Sequence, residues 1–361
     1  MDQSIIKRIS VNIKSKQYDI IIGSSILSMV FDESNILIKD KIALIISSNI
    51  YNLYKNSLLN LFYKYNNYDV FLMEDGENYK SYCYAEEFLN KLLEMGYTRK
   101  SLIIGIGGGV VGDFSGFISS VYMRGINLIH IPTTLLAMVD SSIGGKVAVN
   151  ISKGKNIIGS FHHPEMVITD VSFIKTLPDR ELKNGLTEIV KHSIIGENEL
   201  LDLLLKNNFE SLRDNEVLLK ILFLSAKFKS SIVEKDEKEE GIRAILNFGH
   251  TVGHAIESNF EYMGISHGEA VSIGLRIEME ISRRLGWITN DEMSLFDEIF
   301  KRYHLPCNDY NISVKDVVDH LKYDKKNSNG RINFVLLKGI GKPVYNQQVD
   351  DNLLNDVLKS I

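Results

Sequence analysis

The sequence predicts an α/β protein, in which an N-terminal doubly wound, Rossmann-like domain precedes a mainly α-helical domain. Up to about residue 132, short apolar runs alternate with segments of helical spacing, which is typical of parallel β-α-β units. Beyond about residue 178, strand patterns almost vanish until Asn333-Phe-Val-Leu-Leu. A chain of 361 residues also suits two domains. We therefore predict domains of residues 1–177 and 178–361.

The elements of the first domain follow from apolar periodicity. Residues 9–14 and 18–23 alternate as the strands of a hairpin, and further strands are predicted at 41–48, 69–73, 101–106 and 127–132. Helical spacing predicts helices at 51–64 and 82–95. In the second domain, Pro178-Asp-Arg-Glu-Leu opens a series of long helical patterns.

Composition excludes several classes of protein. The net charge is −5 without a dense basic tract, which argues against nucleic-acid binding. Cys83 and Cys307 lack C-x-x-C spacing, as expected in a reducing compartment. The N-terminus lacks signal-peptide character, and no apolar run approaches the roughly 18 residues of a membrane span. We expect a cytoplasmic protein without a membrane partner.

A glycine-rich turn follows the predicted strand at 101–106. Gly107-Gly-Gly109-Val-Val-Gly112 fits G-x-G-x-x-G, in which backbone N–H groups approach a pyrophosphate at a helix N-terminus. Such a turn is structural about as often as it is functional. Asp75 and Glu77 follow the strand at 69–73, where carboxylates could bind a ribose diol. Together these features favour a dinucleotide.

Further polar groups follow the strand at 127–132. Thr133 and Thr134 come directly after it, and Asp140 precedes Ser141-Ser-Ile-Gly-Gly-Lys146. With Lys153-Gly-Lys155-Asn156, this segment is predicted to surround a glycine-rich loop at the edge of a cleft. A single lysine here would more often be a surface charge, but one between glycines near a dinucleotide site is a candidate binding residue.

The most unusual stretch runs from Arg243 to Glu257. Read as one helix of about 100° per residue, it places Arg243, Asn247, His250, His254 and Glu257 on one stripe about 80° wide. The alternative is an ordinary polar helix face. Buried polar groups need partners, and a metal ion with an anionic ligand would satisfy all five.

A three-ligand metal site can be assembled from the second domain. Glu188 and Lys191 are spaced i, i+3, usually no more than a weak salt bridge, and His267 follows the central helix. Glu188, one histidine of the central helix and His267 would leave coordination positions open, as in catalytic zinc sites. Spacing does not distinguish His250 from His254.

Several motifs in one order resemble the 3-dehydroquinate synthases, within the sugar-phosphate cyclase superfamily. The resemblance covers nearly the whole chain. Its most specific pieces are Met123-Arg124-Gly, Pro132-Thr-Thr, Asp140-Ser-Ser-Ile-Gly-Gly-Lys146, Asn247-Phe-Gly-His-Thr-Val-Gly-His254 and His267-Gly-Glu.

The resemblance implies roles for individual residues. The implied Zn²⁺ ligands, with Co²⁺ as the other possible metal, are Glu188, His250 and His267. The implied NAD-binding residues are Asp75, Gly76, Glu77, Lys80, Gly109, Val110, Val111, Gly112, Asp113, Thr133, Thr134, Lys146, Lys155, Phe173, Ile174, Lys175 and Thr176. The implied substrate contacts are Lys146, Asn156, Lys191, Arg243, Asn247, His254 and Lys325, and Asp140 joins them as a catalytic candidate. Arg124 would reach the site of a neighbouring subunit in a homodimer.

The resemblance also implies a reaction. The family converts 3-deoxy-D-arabino-heptulosonate 7-phosphate to 3-dehydroquinate and phosphate through transient oxidation by NAD, β-elimination, reduction and an intramolecular aldol step. His192 and Phe248 stand where the family more often has Tyr and Leu, and we expect only packing changes there. The rival interpretations are another sugar-phosphate cyclase, a metal-dependent polyol dehydrogenase, and a binding protein that has lost catalysis.

Overall fold

A computed structural model describes residues 6–33, 40–65, 67–260, 264–307, 313–327 and 332–360. The chain divides into two compact units, residues 1–177 and 178–361. Among the described residues, no helix has both the length and the apolar character needed to cross a bilayer.

The first unit is built on parallel strands. Its elements are β1 (Lys7–Asn12), β2 (Gln17–Gly23), α1 (Leu27–Glu33), β3 (Ile42–Ser47), α2 (Ser48–Phe62), β4 (Tyr68–Met73), α3 (Tyr82–Glu94), β5 (Leu102–Gly107), α4 (Gly109–Val121), β6 (Asn127–Pro132), β7 (Lys146–Ile151), β8 (Gly154–Phe161) and β9 (Met166–Asp170). In the described residues, seven of these strands form one sheet in the order β1-β2-β9-β6-β5-β3-β4. Among the strand pairs that the structure describes in this sheet, only the hairpin β1–β2 is antiparallel. The predicted α/β fold is confirmed.

The central strands are buried on both faces, which explains their unbroken apolar runs. Every residue of β3 and of β5 is buried. The helices α3 and α4 contribute Phe88, Leu92 and Phe114 to the same apolar cluster as Phe71 of β4. The Phe88 ring packs against the rings of Phe71 and Phe114. The carboxyl ends of the strands are thereby held at fixed positions, where the ligands of open α/β sheets bind.

The hairpin of β7 and β8 was not predicted from the sequence. A glycine-rich loop was expected around residues 141–156, but only Gly144 and Gly145 form such a turn, with φ of 103° and 68°. From Lys146 to Phe161 the chain forms an antiparallel pair outside the main sheet. Much of β8 is exposed, so its sequence lacks the apolar pattern of a core strand.

The second unit is mainly helical. Its elements are α5 (Asp179–Ile195), α6 (Asn198–Lys206), α7 (Asn215–Lys235), α8 (His250–Asn259), α9 (His267–Arg284), α10 (Asn290–Arg302), α11 (Val314–Asn327), β10 (Phe334–Leu337), β11 (Pro343–Gln347) and α12 (Asp351–Ser360). Helices α8 and α9 pack on α11, β10 and α12 through Val252, Ile256, Ile273 and Ile277. Between Leu182 and Ile195 of α5, thirteen residues are buried, so the polar side chains of this segment face other parts of the protein.

The prediction of one helix from Arg243 to Glu257 is wrong. A 3₁₀ turn spans Ile242–Asn247, and α8 begins only at His250. The break lies at Gly249, whose φ of +80° is left-handed, and a Cβ there would lie 2.7 Å from Leu275. Arg243 and Asn247 therefore do not share a helical stripe with His250.

Candidate active site

The glycine-rich turn has the predicted strand-to-helix form. Strand β5 ends at Gly107 and α4 begins at Gly109, so Gly109, Val110, Val111 and Gly112 form the first turn of the helix. Among the described residues, no side chain caps this N-terminus. Its first N–H groups and the helix dipole suit an anionic group such as a phosphate.

The same edge of the sheet contains the point at which the strand order reverses. Strand β3 pairs with β4 on one side and with β5 on the other. Asp75 and Gly76 follow β4, and Ser47 at the end of β3 donates to Asp75 Oδ1 over 2.8 Å. Thr133 follows β6, and its N–H donates to the Gly107 carbonyl over 3.0 Å. Dinucleotides bind at such switch points in doubly wound sheets.

A buried lysine joins the predicted binding segments to one another. The Lys80 side chain is 3% exposed, and its Nζ lies 2.8 Å from both Asp113 Oδ2 and Asn156 Oδ1. Burial alone would lower the pKa of Lys80, but the carboxylates of Asp113 and Glu77 outweigh it and raise that pKa. Asn150 completes the network by donating to Glu77 Oε2 over 2.8 Å. The predicted residues Glu77, Lys80, Asp113 and Asn156 therefore form one charged cluster.

The remaining candidates of the first unit lie in four places. Phe173, Ile174, Lys175 and Thr176 belong to a 3₁₀ turn after β9, where Thr176 Oγ1 lies 2.9 Å from the Tyr54 hydroxyl. Thr134 Oγ1 accepts from the N–H of Ala137, which begins the π-helical turn containing Asp140. Lys146 and Lys155 lie on the β7–β8 hairpin, at exposed and half-buried positions. Arg124 is exposed and has a left-handed φ of 67°.

Three side chains from three helices of the second unit converge on one point. Glu188 lies on α5, His250 is the first residue of α8, and His267 is the first residue of α9. Glu188 Oε1 lies 3.6 Å from His250 Nε2 and 3.9 Å from His267 Nε2. A tetrahedral ion about 2.1 Å from each ligand atom separates those atoms by roughly 3.4 Å. The spacing therefore fits a bound divalent cation.

The ring orientations favour the same interpretation. His250 Nδ1 lies 3.2 Å from the Phe248 carbonyl, and His267 Nδ1 lies 3.3 Å from Glu257 Oε2. With protons on both Nδ1 atoms, both Nε2 lone pairs face Glu188 Oε1, which has no hydrogen-bond partner among the described residues. Acceptors that face one another around the buried Glu188 Oε1 require a cation or a proton between them.

The electrostatic surroundings keep His250 ready to bind a metal. Burial, followed by the positive charge of Lys191 and the neighbouring His267 and His254, lowers the pKa of His250 well below its ordinary value. The neutral imidazole is the form that coordinates a metal ion. Lys191 Nζ is bonded to the other oxygen of Glu188, and both side chains are buried. This ion pair leaves Oε1 as the atom directed at the histidines.

The start of α9 is fixed by a capping box. Ser266 Oγ accepts from the N–H of Glu269, and Glu269 Oε2 accepts from the N–H of Ser266 over 2.7 Å. Arg180 of α5 holds Glu269 from the other side. His267 therefore begins its helix at a well-defined position beside α5.

A second group that could hold a metal is less suitable. His254, Glu257 and His267 offer ligand atoms within 4.8 Å of one another. His254 is exposed, however, and the Glu257 carboxylate already contacts Nδ1 of His267. We favour His250 over His254 as the ligand, and His254 lies beside the cluster with its ring 5.4 Å from that of His250.

Arg243 and Asn247 both contact the acidic loop that precedes them. Arg243 Nη1 donates to the carbonyl of Glu237 over 2.5 Å, and Asn247 Nδ2 donates to Glu239 Oε1 over 2.6 Å. Asp236 holds this loop by accepting from the N–H groups of Glu240, Gly241 and Arg243. The two predicted substrate contacts are thus oriented by loop geometry.

Four further residues of the second unit can be compared with what the sequence predicted for them. Lys325 lies on α11, and its side chain is outside the described part of the structure. Lys229, 6% exposed on α7, is a buried cation that sequence reasoning missed, because its helical pattern resembles that of a surface lysine. His192 is buried with Nδ1 2.8 Å from Ser225 Oγ, and Phe248 is also buried.

The architecture is that of the sugar-phosphate cyclases. A 2-deoxy-scyllo-inosose synthase, solved with carbaglucose-6-phosphate, NAD⁺ and Co²⁺, superposes with a TM-score of 0.89 at 26% identity, covering 98% of this chain and 99% of that one. A 2-epi-5-epi-valiolone synthase from Streptomyces hygroscopicus shares the fold with a TM-score of 0.87 at 24% identity, over 97% and 98% of the two chains.

Sequence comparison narrows the class to one family. The family models for the N-terminal and C-terminal parts of 3-dehydroquinate synthase match residues 70–184 and 185–327. The 3-dehydroquinate synthase of Thermodesulfovibrio yellowstonii is 39% identical, with 98% of this chain and 99% of that protein covered. That of Prochlorococcus marinus is 42% identical over 98% and 97%. The chain belongs to the 3-dehydroquinate synthase family.

Proposed function

We propose that this chain converts 3-deoxy-D-arabino-heptulosonate 7-phosphate to 3-dehydroquinate and phosphate, as a carbon–oxygen lyase of the shikimate pathway. The observation that carries the proposal is the convergence of Glu188, His250 and His267 in a chain that matches 3-dehydroquinate synthases over nearly its whole length. The product would supply chorismate and aromatic amino acid biosynthesis.

The cofactors are NAD and a divalent metal, Zn²⁺ or Co²⁺. We assign the metal to Glu188, His250 and His267, because their donor atoms match its preferred ligands and the buried Glu188 Oε1 needs a cation. We assign NAD to the carboxyl edge of the first unit's sheet, around the N-terminus of α4. When bound, NAD supplies reversible hydride acceptance and the metal supplies Lewis acidity to substrate hydroxyls.

The phosphate and carboxylate of the substrate require cationic and donor groups from the protein. Arg243 offers a planar fork to phosphate oxygens, and Asn247 and His254 offer further donors. Lys191 is a buried ammonium next to the metal ligand Glu188, where it can hold a substrate hydroxyl or carboxylate. Lys146, Asn156 and Lys325 are further candidate substrate contacts, together with Asp140.

No separate protein base is needed in this proposal. The departing phosphate can itself accept the proton from the adjacent carbon, because it belongs to the same substrate molecule and its oxygens can approach that C–H. His254 then orients the substrate, and its exposed position one helical turn beyond His250 suits that role.

We further propose a cytoplasmic homodimer in which Arg124 contributes to the partner's site. The support is an exposed arginine in a left-handed conformation, which points to a constraint beyond local folding. Sedimentation of the purified protein, with an Arg124→Ala variant assayed for activity, tests both parts of this proposal.

The decisive experiment measures phosphate release and product formation from 3-deoxy-D-arabino-heptulosonate 7-phosphate, with and without prior chelation. Equal amounts of phosphate and 3-dehydroquinate, no net NADH, and loss of both products on chelation are expected. Inactivity with metal and NAD present, alongside activity on another sugar phosphate, would assign the chain to a different cyclase reaction. Steady NADH accumulation with a simple alcohol would instead indicate a polyol dehydrogenase.

A further inference from the structure

Helix α8, which begins with the candidate metal ligand His250, is capped by a side chain from another helix. Glu278 of α9 is completely buried, and its Oε2 accepts from the N–H of Gly249 over 2.7 Å. Its Oε1 lies 3.5 Å from the N–H of Val252. Gly249 has no side chain with which to cap α8 itself, so Glu278 takes the place of an N-cap residue.

The carboxyl group of Glu278 reaches these donors because α8 and α9 are unusually close. A Cβ on Gly274 would lie 2.0 Å from the Gly249 carbonyl oxygen, and a Cβ on Gly253 would lie 3.1 Å from Val271 Cα. Glu278 comes four residues after Gly274, on the same face of α9. The glycines bring the two backbones into contact, and Glu278 then connects α9 to the first turn of α8.

This connection sets the position of one candidate ligand relative to another. His250 directly follows Gly249, and His267 begins the helix that carries Glu278. The two Nε2 atoms lie 3.6 Å and 3.9 Å from Glu188 Oε1, so a shift of α8 by even a fraction of an ångström along α9 would change the coordination geometry.

We propose that Glu278 is a positioning residue for the metal, which holds His250 in its coordinating position by capping α8 from α9. The inference rests on the metal site proposed above. Glu278 contacts backbone N–H groups next to His250, and it acts through the placement of that histidine rather than on the reaction itself.

The protonation of Glu278 identifies the matched conservative variant. Burial raises its pKa to about 8, against the opposing effect of the N–H groups of Gly249, Val252 and Thr251. A neutral carboxyl and a carboxamide have the same shape, and each keeps one acceptor oxygen for the N–H of Gly249. Glu278→Gln should therefore preserve the cap, whereas Glu278→Leu fills the same space and removes it.

The test is a Co²⁺ titration of the metal-free full-length protein, followed by the visible absorption of the bound ion, which reports ligand geometry. Glu278→Leu should weaken Co²⁺ binding by about 10- to 100-fold and alter the absorption bands. Glu278→Gln should bind Co²⁺ as the unaltered protein does. Glu280→Gln is the control on the same helix, because Glu280 pairs with Arg283 and Arg284 of α9 itself.

Unaltered Co²⁺ affinity and absorption in a folded Glu278→Leu variant would overturn the proposal. If Glu278→Leu does not fold, Glu278→Asp decides the question, because its shorter side chain withdraws the acceptor, and unchanged Co²⁺ binding there would equally overturn it. A His250→Ala variant separates this outcome from failure of the metal site: if that variant also binds Co²⁺ normally, the site itself is misassigned.

Discussion

Glu188 is a buried carboxylate whose two oxygens have different surroundings. Oε2 is bonded to Lys191, whereas Oε1 faces two imidazole nitrogens and has no hydrogen-bond partner among the described residues. A buried charge of this kind is stable only if each oxygen has compensation. Lys191 compensates the charge at Oε2, and a metal ion would compensate it at Oε1.

Replacing Glu188 by Gln should remove metal binding and the activity that depends on it. The amide keeps the shape of the side chain but loses the charge, so Co²⁺ affinity should fall at least about 100-fold, beyond the usual effect of outer-shell changes. Isothermal titration of the metal-free protein measures this loss. Glu181→Gln on the same helix is the control, and equal losses in both variants would contradict a specific role for Glu188.

Glu257 should support His267 rather than bind the metal. Its Oε2 lies 3.3 Å from His267 Nδ1, which fixes the ring so that Nε2 faces Glu188. Glu257→Gln should therefore lower Co²⁺ affinity by about 10-fold, since outer-shell carboxylates orient histidine ligands. Glu216→Gln, at an exposed position on α7, is the control. A loss as large as that of Glu188→Gln would instead make Glu257 a direct ligand.

His130 makes stability depend on pH in the first unit. Burial, with a smaller contribution from His162, lowers its pKa from 6.5 to about 4. Below pH 6.5 the unfolded chain takes up a proton that the folded chain excludes, so stability falls as the pH drops to 4, by about 3 kcal/mol. Urea unfolding between pH 4 and 7 should show a weaker pH dependence in His130→Gln. If the free energy of unfolding depends on pH equally in the two proteins, groups other than His130 dominate the pH dependence of stability.

At the level of elements, the contact between α8 and α9 depends on small residues. A Cβ on Gly249, Gly253 or Gly274 would lie 2.7, 3.1 or 2.0 Å from the nearest atom, and Gly249 also needs its left-handed φ. The contact lets Glu278 reach α8 and brings His250 near His267. The geometry of the candidate metal site is therefore a property of helix packing as much as of its ligands.

Gly274→Ala should separate these helices. The added methyl group would lie 2.0 Å from the Gly249 oxygen, so the free energy of unfolding should fall by about 3 kcal/mol, the upper part of the usual range for overpacking. Denaturant unfolding measures it, and Co²⁺ affinity should fall in parallel.

Gly112→Ala is the matched control for stability. Its Cβ would meet nothing closer than 3.9 Å, so helix propensity should leave α4 unchanged or stabilised by up to about 1 kcal/mol. Equal destabilisation by the two substitutions would show that the α8–α9 contact is not specially sensitive.

For the whole molecule, metal binding and folding are linked. The three candidate ligands come from α5, α8 and α9, and they can converge only in the folded chain. Zn²⁺ at about 100 times its Kd should raise the free energy of unfolding by about 2.7 kcal/mol. Thermal unfolding with Zn²⁺ and after chelation measures the shift. Glu188→Gln should show none, and an equal shift in that variant would place the stabilising metal elsewhere.

Much of the fold was predictable because the first unit's sheet has a strong sequence signature. Strands β3 and β5 are buried on both faces and therefore read as unbroken apolar runs. The hairpin β7–β8 was missed because its outer strand is exposed, and the loop interpretation followed from the small and polar residues at 141–146 and 153–156. The helix from Arg243 to Glu257 was wrong because periodicity does not detect the left-handed turn at Gly249.

The α/β class, the candidate residue types and the family resemblance could all be read from the amino-acid sequence, because apolar periodicity and ordered motifs are local properties of the chain. Which side chains meet became known from the folded structure. It directed Oε1 of Glu188 at His250 and His267, left His254 exposed, and joined Lys80 to Asp113 and Asn156. It also brought Glu278 to the start of α8, across 29 residues of sequence. Such contacts depend on how closely helices and strands pack, and local sequence patterns do not predict the packing distance between elements that are far apart in the chain.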